Sequence, residues 1–178
     1  MNSKATNSSG VLEEISDCYI QISKSNTIPM RIIPDISDGK GATYGDETAI
    51  GRSIPIKTFS HGENRTIGWT AHFMVCEEKD IEQNLKYLRS IQSLVYPRDG
   101  GSVPYAPPPV CNIRCGKLLG ETDVCAVLKS YSVRFPPDVP WDHKTKLPYK
   151  FSIDMSWEVV YKTDDLPGQE RILNGGRR

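Results

Sequence analysis

The sequence predicts an α+β fold: a mostly antiparallel β sandwich or partial barrel with one flanking α-helix, long loops and polar termini. Three observations carry that prediction. Residues 149–162 alternate apolar and polar side chains, broken only at Val160, the period-2 signature of a half-buried strand. One segment only, residues 80–96, repeats apolar side chains at helical spacing. The remainder is cut into short apolar runs by 14 Gly and 13 Pro among 178 residues, which favours turns between short strands.

In chain order, residues 1–16 are polar and read as an extended arm; 1–9 carry no apolar stretch, so no secretory leader is expected. Residues 17–23 (DCYIQIS) alternate as a strand, and 30–33 give a second short apolar run before Pro34. Residues 35–53 hold four glycines and almost no period, so they read as one long loop, functional or unstructured. Residues 54–60 and 65–75 read as a hairpin around His61-Gly62-Glu63-Asn64. Its second strand places Ile67, Trp69, Ala71, Phe73 and Val75 on one face. Gly68, Thr70, His72 and Met74 take the other.

The helix is expected to start at Asp80, because Asp80 and Gln83 have capping-box spacing. Ile81, Leu85, Leu88, Ile91, Leu94 and Val95 form its apolar stripe; Lys86, Arg89, Gln92 and Ser93 form its polar back. Pro97 and Asp99-Gly100-Gly101 stop it, and Pro107-Pro108-Pro109 is a stiff connector. Residues 110–115 and 123–135 make the next hairpin. Because 124–128 are apolar on both faces, that strand is expected to be central and covered on both sides. Pro136, Pro137 and Pro140 open a loop to Pro148. The last strand sets Phe151, Ile153, Met155, Trp157, Val159 and Tyr161 against Lys150, Ser152, Asp154, Ser156 and Glu158. These elements make one domain, residues 17–162, followed by a polar tail at 163–178. Surface scaling for a chain this long gives a folded area of roughly 8,700 Å², with about 70% of the unfolded surface buried.

Lys and Arg number 22 against 22 Asp and Glu, for a formal net charge of zero. That leaves no surplus for gripping nucleic-acid phosphates or for a polybasic membrane anchor. Apolar runs are too short for a membrane span. The five cysteines are an odd set without framework spacing, so free thiols in a reducing cytoplasm are expected.

Candidate chemistry is sparse. Cys111, Cys115 and Cys125 could supply thiolates to zinc, but cysteine is among the most buried residue types, and buried thiols fit better. Cys76 with His72 or His61 could pair a nucleophile with a base, yet no orienting acid or oxyanion hole is legible nearby. The carboxylate pairs Glu13-Glu14, Glu77-Glu78 and Asp164-Asp165 read as solvated charges. Gly39 and Gly41 lack a phosphate-loop context. Trp141, on a proline-rich loop, reads as a cap on the core or as an interface anchor. Arg177-Arg178 is a short basic end. No catalytic residue, cofactor site or metal ligand is therefore assigned, and the chain reads as a binding or structural protein rather than an enzyme.

One layout stands out. The strand 65–73 (RTIGWTAHF) leads to the helix, which ends 91–97 (IQSLVYP). Then come 105–116 (YAPPPVCNIRCG), 127–133 (VLKSYSV) and the final alternating strand. Over residues 54–162 this resembles the tail-tube-fold proteins of contractile phage tails and related injection machines, especially the baseplate proteins at the tube's starting end. The resemblance implies a twisted antiparallel sheet flanked by a helix, repeated in a hexameric ring whose sheets join into one barrel around a DNA channel. It implies a bacteriophage virion component, a tube initiator or tube–baseplate adaptor, made in the bacterial host cytoplasm and self-assembling with copies of itself. Adjacent partners would be tail-tube proteins and baseplate hub or wedge proteins, without sequence-specific nucleic acid or a membrane anchor. By position alone, residues 35–53 correspond to the loop with which such proteins contact the next ring. The polar face of the last strand would line the channel. Two alternatives stand beside this: a peripheral baseplate wedge or tube/sheath attachment protein, and a small cytosolic thiol or metal enzyme using Cys76 or Cys111, Cys115 and Cys125.

Overall fold

The computed structural model describes residues 14–48, 50–51, 53–100 and 103–161. Most of the expected arm (1–16) and all of the tail (163–178) lie outside the described residues. Of the arm's end, Ile15 packs against the core and its amide donates to Met30 O at 2.8 Å.

The fold is α+β and mostly antiparallel. Strands β1 (Cys18–Ser23) and β2 (Asn26–Pro29) form a hairpin turned at Lys24-Ser25. Next come β3 (Asp35–Gly39), β4 (Ala42–Glu47), β5 (Ile56–Gly62) and β6 (Thr66–Met74). Helix α1 spans Glu78–Ser93. After it follow β7 (Arg98–Gly100), β8 (Val103–Ala106), β9 (Cys111–Cys115), β10 (Val124–Arg134) and β11 (Lys150–Val159). Seven strands join in the order β2-β1-β9-β10-β11-β6-β3, every neighbour antiparallel; β4-β5 and β7-β8 are separate two-stranded sheets. The seven-stranded sheet does not close on itself, since its end strands β2 and β3 are not paired with each other.

Alternation builds the core. In β11, Phe151, Ile153, Met155, Trp157 and Val159 are buried, and opposite them β6 buries Phe73, Ala71, Trp69 and Ile67 in register. Leu88, Ile91 and Leu94 of the helix stripe join the same cluster, so α1 covers this face of the sheet. Each such side chain contributes about 1.5–3 kcal/mol on full burial.

Several expectations are corrected. Residues 35–53 are not one loop, because β3 and β4 lie within them. Both are solvent-facing and so lack an apolar period. The hairpin read over 54–75 does not form: β5 pairs with β4, whereas β6 lies between β11 and β3. The second strand covers Asn26–Pro29 rather than 30–33; Met30 is buried beyond its end and Ile33 is exposed. The helix starts two residues earlier, with Glu77 as N-cap and Asp80 as the reciprocal capping-box partner. Of the Gly-rich stop after Pro97, Asp99 and Gly100 lie in β7, which pairs with β8. Finally, β10 is central as expected but covered on one face only: Val124, Ala126 and Leu128 are buried, Cys125 and Val127 half-buried.

Between Leu128 and Ser130 the β10–β11 register shifts, a bulge at Lys129. Without it, Tyr131 and Val133 would fall on the polar face; with it they lie opposite Met155 and Ile153 and pack against the core.

Candidate assembly surfaces

Among the described residues, both ends of the main sheet are open strands. The β2 end is short and finishes at Pro29; β3 carries Asp35 and Asp38, devices that keep an edge from pairing at random. Asp38 is also anchored. Arg65, which is buried, donates from Nε to Asp38 Oδ1 at 2.8 Å and from Nη2 to Asp38 Oδ2 at 2.5 Å. The same Nη2 reaches Leu119 O at 2.8 Å. A planar fork that satisfies a carboxylate and a carbonyl together holds β3 in register on β6.

Between β3 and β6 the chain makes an arm, β4–β5. Its base is closed by the Glu63 amide on Gly41 O at 2.9 Å and by Thr43 Oγ1 on Glu63 Oε1 at 3.2 Å. A Cβ at Gly41 would strike the Glu63 carboxylate. Along the arm, Tyr44 and Phe59 meet edge to face at 5.7 Å and Lys57 pairs with Asp46 at 2.5 Å. Every residue of β5 is exposed, and so are Tyr44, Ile50 and Ile54. A two-stranded hairpin is marginal by itself in water, and its apolar side chains are normally covered by something.

The outer face of the main sheet is polar and internally neutralised. Asp154 accepts from Thr70 Oγ1 at 2.8 Å and pairs with Arg134 at 2.7 Å. Glu158 accepts from Asn64 at 2.5 Å and pairs with Lys129 at 3.0 Å; these two contacts hold its carboxyl below the ordinary range. Further along, Asp123 accepts from Tyr19 at 3.0 Å and from Arg114 at 3.3 Å. Gln21, Asn112 and Cys125 form a polar rung across β1, β9 and β10.

The residues nominated for chemistry do not converge. Cys111 and Cys115 point into the core, whereas Cys125 lies on the outer face against Asn112 at 3.3 Å. No group of three or more metal-ligating side chains occurs among the described residues. His72 faces Asp35 at 3.2 Å and His61 faces Ser60 at 3.2 Å, neither a cysteine. Cys76 is exposed, with its amide on Asp80. Glu77 caps the helix and pairs with Lys79, Glu78 lies in the first turn, and Glu14 is exposed. Glu13, Asp164-Asp165 and Arg177-Arg178 lie outside the described residues. Gly39 ends β3 and Gly41 closes the arm, so neither heads a phosphate loop. Trp141 is half exposed, 6.2 Å from Phe135, and bridges to Pro148. An open cleft of about 760 Å³ lies between the start of α1 and the 142–149 loop, lined by Cys76, Glu77, Glu82, Asp142, Lys144 and Tyr149. Its charges are mixed and Asp142 is tied to Thr145 at 2.6 Å, which leaves no poised acid–base pair.

Sequence reasoning missed the arm and the Arg65–Asp38 fork. The one signal for the arm was aromatic: Tyr44 and Phe59 amid polar residues. No helix among the described residues is long and apolar enough to cross a membrane. No known protein family matches the chain, and no curated protein matches it.

Proposed function

We propose that this chain is a structural component of a contractile phage tail, a baseplate protein that forms a hexameric ring and starts or adapts the tail tube around the DNA channel. The observation that carries the reading is the pair of open edges: among the described residues, a seven-stranded sheet covered by one helix ends in unpaired β2 on one side and unpaired β3 on the other. Repeating the chain around an axis sets the β2 of one copy beside the β3 of the next and removes both edges. The neutralised outer face suits a channel that DNA passes through without being held. The arm supplies a second contact, to the adjacent ring or to a hub or wedge protein. The chain acts by assembly, with no catalysis.

Edge-to-edge pairing is tested by placing Thr27→Cys and Ser37→Cys in the same chain and oxidising it. The reading predicts a ladder of covalent oligomers up to the hexamer that the parent chain does not give. A chain that remains monomeric overturns it. The second reading, a peripheral wedge or attachment protein, is favoured by the arm forming a two-stranded sheet of its own outside the seven-stranded sheet. It predicts partner capture through the arm with no such ladder.

A further inference from the structure

We propose that Cys18 and Cys115 form a redox-active dithiol site that a hydroperoxide converts to a cross-strand disulfide, fastening β1 to β9. The two residues are directly opposite in the β1–β9 register, both buried, with their sulfurs 3.3 Å apart. Cys18 spends its backbone groups elsewhere: its amide donates to Ile15 O at 3.4 Å and its carbonyl accepts from Met30 N at 2.9 Å. The pair is therefore a non-hydrogen-bonded one. Such pairs have Cα atoms about 4.5 Å apart, inside the range a disulfide spans. Closing from 3.3 Å to a bond of about 2.05 Å needs only small side-chain rotations at each residue.

Position explains both protection and access. Burial and the thiol hydrogen bond push the Cys18 thiol up to about 12, so it stays protonated and inert toward casual exchange. Yet Cys18 opens β1 and Cys115 closes β9, so local fraying of strand ends reaches both. Mispairing is disfavoured: Cys111 lies opposite Ala126, and Cys125 is on the other face of the sheet. In the reaction one sulfur, reached by water when the strand ends fray and ionised there to the thiolate, attacks the peroxide O–O bond; the leaving oxygen takes up a proton from water, giving a sulfenic acid and one water or alcohol. The second sulfur then displaces the sulfenic oxygen as water. Two thiols lose two protons and two electrons, and the peroxide is reduced. The resulting bond closes the long 18–115 loop and fixes the hairpin that carries the β2 edge. The inference stands apart from the ring reading, because it concerns one chain alone.

The test treats the reductant-free full chain with hydrogen peroxide, then alkylates remaining thiols in denaturant and digests without reductant. The expected result is a linked peptide pair containing Cys18 and Cys115, two of the five thiols lost, and a melting midpoint raised by on the order of 5–15 °C. Added dithiothreitol reverses all three. In Cys18→Ser, peroxide should produce no link at Cys115 and no rise. Should that variant not fold, linkage mapping in the parent chain decides. Separate sulfinic acids, a link through Cys111 or Cys125, five retained thiols, or a link without a raised midpoint would overturn the inference.

Discussion

Asp80, with its side chain only 3% exposed, pairs with Arg31 at 2.9 Å and also accepts the amides of Cys76 at 3.1 Å and Glu77 at 3.0 Å. One carboxylate thus ties the end of the β1–β2 hairpin region to the start of α1 and to the turn leaving β6. Burial by itself would raise the Asp80 pKa; the Arg31 bond and the two amides outweigh it and hold the carboxyl below the ordinary range.

Replacing Asp80 with Ala strands two amides and leaves Arg31 without its partner. A loss of about 2–4 kcal/mol is expected from urea unfolding, at the lower end because Arg31 can regain water. A loss below about 0.5 kcal/mol would show that the carboxylate organises nothing.

The sign of the pH dependence follows from the lowered folded value. Asp80 contributes fully above the ordinary carboxylate range, about pH 4, and its contribution disappears as pH falls through the folded value. Asp80→Asn should therefore be less stable than the parent chain at neutral pH, with the difference shrinking on acidification. A difference that stays constant down to about pH 2 contradicts the assignment.

Arg65 fixes the β3 edge through Asp38 and Leu119. Arg65→Ala is expected to cost about 2 kcal/mol and to speed hydrogen exchange in β3 at least about tenfold while β10 stays protected. Arg65→Lys should recover less than half, because an ammonium cannot reproduce the fork. Full rescue by Lys would mean that charge alone matters.

The sequence discloses those parts of this molecule where burial imposes a period. Trp157 and its alternating neighbours in β11, and Leu88 and Ile91 in α1, are legible because one side of each element meets the core. The strands β3 and β4 carry mostly exposed residues, so nothing in Gly39 or Gly45 marks them as extended; residues 54–60 do read as a strand, but with every side chain of β5 exposed no buried face points to β4 as its partner. Asp80 was misread as an N-cap because Asp80–Gln83 repeats the spacing of Glu77–Asp80, and only packing decides between them. The bulge at Lys129 has no compositional mark at all.

That bulge separates two variants. Lys129→Ala removes an exposed pair with Glu158 and should cost less than about 1 kcal/mol. Deleting Lys129 moves either Tyr131 and Val133 or the residues before them to the wrong face, and a loss of several kcal/mol or insoluble protein is expected. Equal effects in chemical denaturation would remove the bulge from the account.

Tyr44→Ser with Phe59→Ser tests the arm. Both rings are more than half exposed, at 56% and 60%, so monomer stability should change by less than about 1 kcal/mol. Stacking of rings or capture of a neighbouring tail protein should be lost. Unimpaired higher assembly would show that the arm is not a contact.

The central claim is that open sheet edges close by pairing between copies. Mass photometry of the full chain over rising concentration, with negative-stain imaging of the heaviest fraction, addresses it most directly. The account predicts a species of six times the 19.9 kDa chain mass, seen as six-fold rings with a central channel. A single 19.9 kDa species at every concentration, together with the chain's absence from tail particles, would contradict it.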